Sequence, residues 1–92
     1  MGGSKVMTRA ELIKQAEHIV CHDREDQYGK PENNFSLIAE FWSAYLGKEV
    51  KAGDVALMMC LLKIARTVSV KTKEDNYVDL IGYAACAGEV TL

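Results

Sequence analysis

Apolar residues recur at helical spacing in four segments of the chain, and no segment carries a convincing strand pattern. Thr8-Arg9-Ala10-Glu11 has the form of a capping box, a hydroxyl followed three residues later by a carboxylate. Behind it Leu12, Ile13, Ala16, Ile19 and Val20 define one amphipathic helix, predicted to end near Cys21. The polar stretch His22 to Lys30 reads as an interhelical loop, after which Pro31 suits a first helical turn. A second helix is predicted from about Glu32 to Leu46. Its apolar stripe is Phe35, Ile38, Phe41 or Trp42, and Tyr45, and Gly47 stands at the stop. Asp54 opens a third helix, Val55 to about Val68. Lys71-Thr72-Lys73-Glu74 is the next turn, and a fourth helix runs from Asp75 or Asn76 to about Val90.

The first two helices are one-sided, whereas the third and fourth are apolar nearly all round. Such helices belong at the centre of a bundle or in a subunit interface. The fourth also carries Gly82 and Gly88 among alanines. Glycine costs about 1 kcal/mol relative to alanine inside a helix, so the pair suggests the close approach of another backbone. The chain has 92 residues. A domain of that size buries only about 60–65% of its unfolded surface. The expectation is therefore a single all-α domain over residues 8–92, a four-helix bundle completed by homo-oligomerisation as a dimer or dimer of dimers. Residues 1–7 are expected to be disordered, with Met1-Gly2-Gly3-Ser4 read as a cloning remnant.

Composition narrows the class. A hydrophobic share of 49% with 26% charged residues is that of a globular protein, and a net charge of −2 argues against a nucleic-acid platform. The longest apolar run, Val55 to Leu62, is far short of the ~20 residues of a membrane span. No secretory signal is expected, and three cysteines without metal spacing read as reduced thiols in a cytoplasmic protein.

The informative residues are the charges set into apolar helices. Lys63 and Arg66 share a face of the third helix. Asp75, Asn76 and Asp79 cluster on the fourth, with Tyr83 one turn further on. Buried without partners, these groups would cost several kcal/mol each. Two compatible arrangements satisfy them. One is an internal ion pair of Asp79 with Lys63 or Arg66. The other is a polar pocket in which Asp75 and Asp79 hold magnesium and the two cations meet phosphates. The segment His22 to Asn34 adds Arg24, Tyr28 and Asn34, which either contact a ligand or belong to a solvated turn.

These residues carry a resemblance. Arg24-x-Asp26-x-Tyr28-Gly29-x-Pro31-x-x-Asn34-Phe35, Trp42, Asp54-Val55-Ala56-Leu57-Met58, Leu62-Lys63-Ile64-Ala65-Arg66 and Asp79-x-x-Gly82-Tyr83 together resemble a small family carried by phages and prophages. That family is similar in turn to the MazG-like all-α nucleoside triphosphate pyrophosphohydrolases. The resemblance implies a helical oligomer that binds a nucleotide between helices and, with magnesium on EExxE and ExxD motifs, converts a nucleoside triphosphate to the monophosphate and pyrophosphate. Asp79 matches the aspartate of ExxD, with Asn76 in place of its glutamate and Asp75 one position earlier. The EExxE helix has no match; Asp54 and Glu40 are the nearest acids.

On that reading Asp79 and Asp75 are the catalytic and magnesium-binding residues. Lys63, Arg66, Arg24, Tyr28, Asn34, Asn76 and Tyr83 bind the phosphates and the nucleotide. The alternatives are a helical oligomer that binds or sequesters a nucleotide or signalling molecule without catalysis, and a structural protein whose charges are only ion pairs.

Overall fold

The computed structural model describes residues 7–92, so the expectation for the N-terminal segment falls, Met7 apart, outside the described residues. Among these residues the chain forms four helical rods and no strand. The first rod comprises α1 (Arg9–His18), a π-helical turn (Ile19–Asp23) and α2 (Arg24–Tyr28). The others are α3 (Pro31–Leu46), α4 (Ala52–Ser69) and α5 (Glu74–Thr91).

The capping box forms as read. The Thr8 N–H donates to Glu11 Oε1 at 2.9 Å, and the Glu11 N–H donates to Thr8 Oγ1 at 3.1 Å. The predicted end at Cys21 does not hold, because the helix continues through the polar stretch to Tyr28. Polarity there reflects exposure of residues 21–30 and not a loop. The segment contains no helix breaker until Gly29, whose φ of 82° ends the rod. Within it the Arg24 N–H donates to the Ile19 carbonyl, five residues back, so one wider turn carries an extra residue.

The remaining boundaries lie within three residues of those expected. Gly47 adopts the left-handed conformation that stops α3. The connection behind it is pinned by Ser43, whose Oγ accepts from the Val50 N–H at 2.7 Å and donates to the Val50 carbonyl at 3.2 Å. Asp54 sits in the first turn of α4 instead of before it, accepting the Lys51 N–H at 3.0 Å. Of the two candidates on α3, Trp42 packs against the core, while Phe41 and Tyr45 are 69% and 90% exposed.

α4 and α5 form an antiparallel hairpin, the most extensive helix pair of the fold, with α3 against α4 and α1 against α5. The core is Phe35, Ala39, Val55, Ala56, Cys86 and Ala87, with Val20, Trp42 and Tyr83 packed around it. The α5 glycines do not mark a close backbone within the chain. A Cβ at Gly82 would meet only the Val20 side chain at 3.7 Å, and one at Gly88 would meet nothing within 4 Å. The crowded glycine is Gly53 on α4, where a Cβ would stand 2.5 Å from Thr91 Oγ1.

Toward the closed end of the hairpin Lys63 Nζ lies 2.8 Å from Asp79 Oδ2, the two side chains only 11% and 17% exposed. Arg66, three residues on, is exposed. Lys63 is therefore the partner of Asp79. Removing one member of such a pair strands the other, at about 3–5 kcal/mol, whereas replacing both with apolar groups is often neutral. Lys63→Met should lower the free energy of unfolding by about 3 kcal/mol, and Lys63→Met with Asp79→Leu should recover most of the loss. Urea denaturation at one fixed protein concentration checks this; equal losses in the single and double variants would show that the pair does not couple.

The thiols divide by burial. Cys21 is exposed, and Cys60 and Cys86 are buried. Burial, reinforced by the nearby Glu89 carboxylate, pushes the Cys86 thiol from the ordinary 9.0 up to about 11. A value raised in the folded state gives stability that is complete below about pH 9 and is lost as pH climbs through 11. At pH 8, iodoacetamide should label Cys21 in the native protein and reach Cys60 and Cys86 only on unfolding. Cys86→Ala should flatten the fall in stability between pH 9 and 11. Native-state labelling of Cys86 at the Cys21 rate would contradict the burial.

Candidate functional site

A cavity of about 240 Å³ opens between the first rod, the start of α3 and the middle of α5. Its floor is apolar, formed by Ala16, Ile19, Val20, Phe35, Ile38 and Val78. Polar and aromatic groups rim it: Arg24, Glu25, Tyr28, Asn34, Asp79 and Tyr83. Each position follows from local structure. Arg24 and Tyr28 are four residues apart on α2 and so share a face. Pro31 starts α3 at once after the Gly29–Lys30 corner, which places Asn34 and Phe35 in its first turns. Asp79 and Tyr83, again four apart, project from α5.

Arg24 is the cation of this site. Its Nη1 donates to Tyr83 Oη at 3.3 Å, and its guanidinium carbon stands 5.5 Å from the Tyr83 ring centroid. Tyr83 in turn leans on Phe35, with ring centroids 6.3 Å apart at 47°. The guanidinium thus has an aromatic support and a neutral hydroxyl partner, leaving most of its five donors for another acceptor. Cys86 also lines the cavity and contributes a neutral thiol.

A shallower and more open cleft of about 420 Å³ adjoins this cavity and shares Ile19, Arg24, Tyr28 and Asp79 with it. Asp23, Gln27 and Asp75 complete the cleft. Arg24, Tyr28 and Asp79 therefore stand at the junction of the two spaces.

The residues singled out in the sequence separate into two groups. Arg24, Tyr28, Asn34, Asp79 and Tyr83 converge on the cavity, and Asp75 borders the adjoining cleft. Lys63, Arg66 and Asn76 line neither space. Lys63 is engaged behind Asp79, Arg66 is exposed elsewhere on α4, and Asn76 is buried in the first turn of α5. Asp23, Glu25 and Gln27 were not singled out. Reading residues 22–28 as helix would have found Asp23 and Gln27, because their i, i+4 spacing aligns them beside Arg24 and Tyr28.

The donor set is a poor match to a magnesium site. Among the described residues no three of His, Cys, Asp or Glu are grouped so as to hold a metal ion. One oxygen of Asp79 is already taken by the Lys63 ammonium.

Comparison with known proteins places the chain in a lineage. It is 37% identical over 79 residues to the Gene 55 protein of Mycobacterium phage D29, and 39% identical over 82 residues to the Gene 55 protein of Mycobacterium phage L5. These alignments cover 86% and 88% of the chain but 52% and 53% of the relatives, so the chain spans about half the length of the phage proteins it matches. No solved structure matches it. Among the described residues no helix is long and apolar enough to cross a membrane. Residues 11–91 match the family described as a domain of unknown function, DUF6378, and the chain, similar to phage proteins over that length, belongs to this family.

Proposed function

We propose that this domain binds a nucleotide, or another phosphorylated molecule with a flat ring, in the cavity between the first rod and α5. The observation that carries the reading is the Arg24 guanidinium, held against Tyr83 at the junction of an apolar cavity and a polar cleft. A guanidinium fork matches the oxygens of a phosphate, and Tyr28, Phe35 and Tyr83 offer ring faces and edges to a base. Asn34 supplies an amide that both donates and accepts, the chemistry that reads a base edge.

Binding is favoured over hydrolysis because the metal ligands fall short. Turnover of a triphosphate to the monophosphate and pyrophosphate, as in MazG-like enzymes, would need Asp75 and Asp79 to take magnesium. Asp79 would first have to release Lys63. Anion binding through Arg24 needs neither step.

Isothermal titration calorimetry with adenosine, its mono-, di- and triphosphates, their deoxy and pyrimidine counterparts, and inorganic pyrophosphate tests the proposal. Each titration is run in EDTA and again in magnesium. Saturable binding of at least one nucleotide in EDTA is expected, with the matching nucleoside bound at least tenfold more weakly. Arg24→Gln should lower that affinity by tenfold or more, the worth of one hydrogen bond to a charged group. At about 100 times the dissociation constant the ligand should add about 2.7 kcal/mol to stability. No binding by any compound, or unchanged affinity in Arg24→Gln, would reject the assignment. Binding that requires magnesium, with release of pyrophosphate, would restore the enzymatic reading.

A further inference from the structure

α4 buries one side against α3 and α5 and leaves the other open. Leu57, Leu61, Ile64 and Val68 are 55%, 64%, 46% and 70% exposed. They follow one another at intervals of four, three and four, the spacing of a helix seam made to receive another helix. Exposed Met58 and Leu62 broaden this face. Of the two charges within its span, Lys63 turns away to Asp79, and exposed Arg66, nine residues from Leu57, lies about half a turn round the helix from it. At the two ends of the seam stand Asp54, in the first turn of α4 three residues before Leu57, and Lys71, in the turn that follows α4 three residues after Val68, both exposed.

We infer that this face pairs with the same face of a second copy, α4 running antiparallel to α4 about a two-fold axis between residues 61 and 64. That arrangement sets Leu61 against Ile64 of the second copy and Leu57 against Val68. It also sets Asp54 against Lys71 at both ends, as an isologous interface requires. The charges select the direction. A parallel pair would oppose Asp54 to Asp54 and Lys71 to Lys71, and like charges across an interface are repelled. An antiparallel pair closes an apolar seam with an opposite-charge contact at each end. None of the residues of this face lines the proposed nucleotide cavity or the adjoining cleft, so the pairing stands or falls independently of the ligand.

Sedimentation equilibrium and zero-length carbodiimide cross-linking of the full chain test the inference. The native chain should sediment at twice its mass of 10.2 kDa. Mass spectrometry of the cross-linked dimer should find Asp54 joined to Lys71. Along one chain these residues are separated by more than about 20 Å of α4, beyond the reach of such a link, so the product must come from two copies. Leu61→Glu should sediment as a single chain with its far-ultraviolet helicity retained. Should that variant fail to fold, the Asp54–Lys71 link in the native protein decides. A native chain that sediments at 10.2 kDa overturns the inference, as does an assembly that lacks the link.

Discussion

An ammonium and a carboxylate on facing helices of so thin a bundle have few alternatives to each other. Lys63 and Asp79 meet at 2.8 Å between α4 and α5, nearer the turn that joins them than the open end of the hairpin. Either one alone would be a charge removed from water with nothing to offset the cost. Their contact fixes the register of the hairpin, consistent with Gly53 lying under Thr91 at its far end. It also divides the charges of the molecule. Lys63 is committed to the scaffold, and the cation left facing the cavity is Arg24.

Arg24 reaches that position because the first helix does not end where its apolar pattern ends. The π turn over Ile19–Asp23 and the five residues after it extend the rod past the polar stretch. The extra residue in the wider turn changes the helical phase, so that Arg24 reaches Tyr83 on α5 and both Arg24 and Tyr28 face the cavity. Wider turns of this kind occur mostly inside α-helices and often at functional sites. Here one sets a charged side chain against Tyr83, whose ring is supported by Phe35 from a third element. Three elements therefore position one guanidinium.

How much of this was legible in the sequence depended on the range of the interaction. Local chemistry was readable: the Thr8–Glu11 capping box, the stop at Gly47 and the start at Pro31 each depend on a few neighbouring residues. The periodicity of α3 was legible, but its choice of Trp42 over Phe41 was not, because the two are neighbours and only packing against other helices distinguishes them. The pairing of Asp79 was similarly open. Lys63 and Arg66 differ by about 60° in helical phase, and α5 had to be in place to choose between them. The polar rod is hidden in the sequence because an exposed helix and a loop share a composition. In this segment the absence of Gly or Pro before Gly29 was the better signal.

The division of labour between the two cations can be observed directly by nitrogen-15 NMR of the lysine ammonium and arginine guanidinium groups during titration with a bound nucleotide. The Arg24 side-chain resonances should shift along the binding curve, while the Lys63 ammonium resonance holds its position. A titration in which Lys63 moves and Arg24 stays still would contradict this division, because the charge assigned to the scaffold would then be the one that meets the ligand.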